Sequence, residues 1–105
     1  MASGVEDVVL AVLDAMDGGV TIVAVYDGFD REVVPVVVGA SSLGEPLVRV
    51  VQVGGFSRSG HRAGWRVMRI RELSEVSVGW SYGGDVLGGY DPFYPWVYYV
   101  YAMVQ

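Results

Sequence analysis

The chain has no cysteine, no lysine and a single histidine, His61, in 105 residues. Without cysteine there are no disulfides, thiolate nucleophiles or cysteine-held metals, and the composition fits a cytoplasmic protein. One histidine with no carboxylate beside it in sequence assembles no familiar zinc centre, so no metal is expected. Only 18% of residues are charged, against about 25% in ordinary globular domains. No apolar run approaches the length that crosses a bilayer, and the N-terminus lacks the basic region of a secretory signal, so no membrane partner is expected. There is no Cys/His pair and no serine in a nucleophile-elbow setting; neither an enzyme nor a cofactor is expected.

Apolar residues, by contrast, make up 52% of the chain, and the mean hydropathy is +0.40. That supply can offset chain entropy and fill one core, which at this length means a single domain. It also implies either little polar surface or an oligomer that hides part of it. The net charge of −5 opposes nonspecific binding to phosphate backbones. Its distribution is uneven. Residues 1–45 hold eight acids and one base, Arg31, whereas Arg49 to Arg71 contains six arginines and no acid. A local positive field can therefore exist on a negative molecule, made by the side chain best shaped to grip oxyanions.

Ser3 and Glu6 have capping-box spacing, and Val5, Val8, Val9, Val12, Leu13 and Met16 recur on one helical face. The spacing predicts a helix over residues 3–17, closed by Gly18-Gly19. Val20 to Tyr26 reads as a strand that stops at Asp27-Gly28. Phe29 and Asp30 complete the link to a second strand, Arg31 to Val38, in which Pro35 marks an edge, a bulge or a bend. A third strand, Pro46 to Val53, returns as Trp65 to Leu73 after a Gly/Ser-rich link, and Leu73 to Val78 forms a fifth strand. The expected architecture is mainly β: a five-stranded barrel over residues 20–78 behind an N-terminal helix. Residues 79–105 form an aromatic C-terminal extension, in which Trp96 to Val104 is read as a sixth strand at an edge in preference to a short helix packed on the barrel. That extension packs either on its own domain or on a partner chain.

Tyr26, Arg31 followed by Val33-Val34-Pro35, the apolar Leu47–Val53 and the alternating Arg66-Val67-Met68-Arg69-Ile70 together resemble the WYL domain. The tripeptide that names that family is replaced here by Leu47-Val48-Arg49, and Arg71-Glu72-Leu73 stands where an acid, a base and isoleucine are usual. The resemblance implies a small Sm/SH3-like barrel, here in a divergent stand-alone form without a DNA-reading helix-turn-helix. Such domains sit in transcription regulators and in bacterial and phage-defence proteins, where they sense nucleic acid or nucleotide-type ligands. The resemblance further implies that Arg31 and the arginines of the return strand, Arg66 and Arg69, line a ligand groove.

Candidate site residues follow from the chemistry. Ser57, Arg58, Ser59, His61 and Arg62 lie in the glycine-bounded link, where converging amides, hydroxyls and guanidinium forks can cradle a phosphate or carboxylate. Arg49 interrupts a valine strand, and Trp65 and Tyr26 can stack on a base with arginine nearby. Each has a plainer reading as well: a solvated hairpin loop, an arginine whose stem merely packs, aromatics that finish a small core. For Arg69 and Arg71, ion pairs with Glu32 or Glu72 are the ordinary alternative. The leading expectation is a noncatalytic regulatory domain that binds an anionic, nucleotide-like ligand or single-stranded nucleic acid. The alternative is a protein-interaction or homo-oligomerisation module built on the aromatic C-terminal segment.

Overall fold

The computed structural model describes residues 4–55, 64–82 and, for the backbone, 99–103. A helix, α1 (Val5–Gly18), precedes five antiparallel strands, β1 (Val20–Tyr26), β2 (Phe29–Ala40), β3 (Pro46–Gly55), β4 (Gly64–Arg69) and β5 (Ser74–Ser81). A one-turn 3-10 helix, η1 (Ile70–Glu72), separates β4 from β5, and β6 (Tyr99–Met103) follows. The strand order is β4-β3-β2-β1-β5, with β6 paired to β2.

The cap of α1 differs from expectation. Its N-cap is Gly4, with no side-chain hydrogen bond, and the expected capping box falls on Ser3, which lies outside the described residues. The other end follows the sequence: Gly19 adopts the left-handed conformation (φ 66°), and its amide donates to the Ala15 and Met16 carbonyls. Asp27 (φ 55°) and Gly28 (φ 80°) form a two-residue turn of the kind whose twist suits a hairpin. The β1–β2 link is therefore shorter than expected, and β2 begins at Phe29.

Strand β2 organises the sheet. Its first half pairs with β1, from Val33 opposite Ile22 to Phe29 opposite Tyr26. Beyond the bulge at Pro35–Val37 its second half pairs with β6, with Val37 opposite Met103 and Ala40 opposite Tyr99. Pro35 thus sits at the irregularity, where its missing amide costs no regular ladder bond. The extra residue there leaves Val36 and Val37 both in the cluster on the sheet face away from α1.

Two apolar clusters result. Val8, Val12 and Ala15 of α1 pack on Ile22, Ala24, Val33, Val38, Val48, Val50, Met68, Ile70 and Leu73. On the other face, Val34, Val36, Val37 and Val51 are buried, with Val53, Trp65 and Tyr82 packed against them. Each buried valine contributes about 1.5 kcal/mol of transfer free energy. The sheet is curled: the Tyr26 hydroxyl at the end of β1 accepts a hydrogen bond from the Arg69 amide of β4 at 3.2 Å.

The return strand is shorter than expected because Ile70–Glu72 turns into η1, burying Ile70 completely. β5 continues to Ser81, past the expected end of the sheet at Val78. Gly79 is required there, since a Cβ would collide with the Thr21 hydroxyl. That hydroxyl donates to Glu32 Oε2 at 2.9 Å and accepts from the Trp80 amide at 2.8 Å, tying three strands together. Two register shifts interrupt the β1–β5 ladder, consistent with the uneven alternation of this segment in sequence.

Candidate functional site

The described arginines fall into three settings, and strand alternation decides those on β2, β3 and β4. In β3, Val48, Val50 and Gln52 face α1, while Arg49 and Val51 face the other way; β4 follows, with Arg66 opposite Val50 and Trp65 opposite Val51.

Arg31 occupies the α1 side. It is 5% exposed, and its register partners are Ala24 on β1 and Gly55 on β3. A Cβ at Gly55 would strike the Asp30 carbonyl, so glycine permits the close approach of β2 and β3 beside the arginine. Arg31 Nη1 donates to Gln52 Oε1 at 3.2 Å, and Nη2 donates to the Tyr26 carbonyl at 3.1 Å. Its guanidinium lies 5.4 Å from the Tyr26 ring centre and 5.9 Å from that of Phe29. Nε is buried with no acceptor among the described residues. Burial, and then the like charge of Arg66, hold the Arg31 guanidinium below its ordinary pKa, while Asp27 opposes the shift. It remains a cation at physiological pH.

Arg49 and Trp65 occupy the other side. The Arg49 guanidinium stacks 4.4 Å above the Trp65 ring, a cation–π distance. Arg49 is only 8% exposed. It therefore does more than pass an apolar stem through the strand: its head is gathered onto an aromatic face. Together with Arg66 and Val67 the pair lines an open depression of about 340 Å³. Since β4 ends the strand order, side chains from both faces of the sheet reach this rim.

Arg69 and Arg71 point to solvent. Arg69 Nε lies 3.3 Å from Glu45 Oε1 and its Nη1 3.3 Å from Glu72 Oε2; Arg71 Nε lies 3.7 Å from Glu45 Oε2. The Glu72 hydrogen bond, then the charge of Glu45, raise the Arg69 pKa. Glu45 thus stands where sequence reading offered Glu32, whose carboxylate accepts from Thr21 instead. Glu45 is set in place by the preceding turn, in which the Ser41 hydroxyl accepts from the Leu43 and Glu45 amides.

Of the sequence-derived candidates, Arg49, Trp65 and Arg66 are brought to one depression. Arg31 and Tyr26 form the adjoining buried group, and Arg69 stands apart with its carboxylates. Ser57, Arg58, Ser59, His61 and Arg62 lie outside the described residues. Sequence reading did not single out Gln52, which is fully buried and holds Arg31. Its signal was available: one amide side chain on the same strand face as Val48 and Val50. Among the described residues no cluster of three or more metal-ligating side chains occurs, and no helix is long and apolar enough to cross a membrane. No family model, curated protein or solved structure matches the chain.

Proposed function

We propose that this chain is a noncatalytic ligand-sensing domain whose Arg49–Trp65–Arg66 depression receives an anionic, nucleotide-like ligand or a single-stranded nucleic-acid end. The observation that carries the reading is the Arg49–Trp65 stack beside a second guanidinium in one open hollow. A stacked guanidinium is held flat, with little side-chain entropy left to lose, and Arg66 adds charge for an oxyanion. The negative net charge favours a compact ligand, because long-range attraction of a polyanion is weak. The curl of the sheet, with Tyr26 of β1 meeting Arg69 of β4, supports reading the strands as a small Sm/SH3-like barrel of WYL type.

Calorimetric titration of the full chain with inorganic phosphate, a nucleoside monophosphate and a short oligothymidylate tests this. At least one probe is expected to bind, and the Arg49→Met/Arg66→Met double variant to weaken it about tenfold or more. Binding that survives the double variant unchanged removes the site, and silence from all three probes removes the ligand class.

The second reading, a homo-oligomer, is favoured by Val78 and Trp80, which are 63% and 69% exposed on β5 at the end of the strand order. Sedimentation at rising concentration separates it: a monomer throughout rejects a self-association seam, and dimers lost on Trp80→Ser support it.

A further inference from the structure

The solvent face of α1 carries a feature that neither the core nor the arginine depression uses. Leu10 is 58% exposed on a helix whose core face is Val8, Val12 and Ala15. The helical repeat places Glu6 and Asp7 one turn before Leu10, Asp14 one turn after and Asp17 two turns after, all on the same side. All four acids are exposed, and no lysine or arginine occurs before Arg31. Beside Leu10, a hollow of about 320 Å³ is lined by Val5, Glu6, Val9 and Leu10.

The acids at the end of α1 work against the helix itself. Glu6 and Asp7 suit its positive N-terminal end, but Asp14 and Asp17 stand near the negative C-terminal end, three residues apart, with no base in the last turn. Residues that oppose local helix energetics without a compensating contact mark a surface kept for something other than folding.

We infer that this face of α1 docks a basic amphipathic segment of another protein, one apolar side chain entering the hollow beside Leu10 and flanking lysines or arginines meeting Glu6, Asp7, Asp14 and Asp17. Charge complementarity decides the occupant. A second copy docked α1 to α1 would set acid against acid, and Arg69 and Arg71 are already matched to Glu45 and Glu72. An anionic lipid surface would be repelled. This docking is independent of the arginine depression.

The test titrates the isotopically labelled full chain with a synthetic helical peptide of leucine and lysine at amphipathic spacing, and with its leucine–glutamate counterpart. The leucine–lysine peptide is expected to shift the amide resonances of α1. Leu10→Ser, an exposed and structurally mild change, should weaken it about tenfold. Asp14→Asn/Asp17→Asn should weaken it about fivefold while raising Tm by about 3–6 °C, because it relieves the dipole and the like-charge pair. The inference is overturned if resonances shift elsewhere, if Leu10→Ser binds unchanged, or if the leucine–glutamate peptide binds equally well. A lowered Tm in the double asparagine variant also overturns it, as does a Leu10-dependent dimer of the chain alone or binding to phosphatidylglycerol vesicles.

Discussion

Arg31 and Arg69 are the same side chain in opposite surroundings. Arg31 is buried and held by neutral acceptors, an amide oxygen and a carbonyl, and burial depresses its pKa. Arg69 is exposed and faces two carboxylates, which raise its pKa. The difference shows that ion-pair count is a poor guide to which arginine matters. A buried guanidinium with few partners makes those partners hard to do without, whereas a surface pair exchanges its contacts with water at little cost.

The comparison breaks most directly at the buried end. Arg31→Met should destabilise the domain by about 2–3 kcal/mol in urea unfolding, since it removes a buried donor from the Gln52 oxygen and the Tyr26 carbonyl. The loss should be nearly the same at low and high salt.

Between the extremes stands Arg49. A double-mutant cycle of Arg49→Met and Trp65→Leu should give a coupling of about 0.5–2 kcal/mol, set by the stack and its partial desolvation. Tyr26→Phe should cost about 0.5–1 kcal/mol by removing the hydroxyl that accepts from the Arg69 amide. At the exposed end, Arg69→Ala should change the urea midpoint least, and any change should fade at 1 M salt, where surface charges are screened. A salt-independent loss there would show that Arg69 is more than a solvated ion pair.

Much of the secondary structure was legible because it rests on local rules. The apolar face of α1, the glycine stop, the strand from Val20 to Tyr26 and the turn at Asp27-Gly28 each follow from side-chain pattern or backbone geometry. Pro35 announced its irregularity by lacking an amide. The errors lie where tertiary contacts overrode local preference. Arg69 to Leu73 alternates like a strand, yet Ile70–Glu72 coils into η1 so that Ile70 reaches the core. Gly79 looked like the end of the sheet, whereas it lets β5 pass close to Thr21.

The arginine cluster was legible as composition but not as arrangement. Alternation along β4 separates Arg66 from Arg69, and the β3–β4 register sets Trp65 beside the strand position that presents Arg49. Register and curl are agreed between strands distant in sequence, so no single stretch could report that Arg69 would meet Glu45 or that Gln52 would hold Arg31.

What the amino-acid order alone determined is an acidic, valine-rich, cysteine-free chain with one amphipathic helix, a set of short strands and its positive charge confined to arginines. Which of those arginines is buried, stacked or solvated was decided only when β2 bent at Pro35 and the sheet curled. Pattern assigns a side chain to a face, and only long-range pairing determines what stands opposite it.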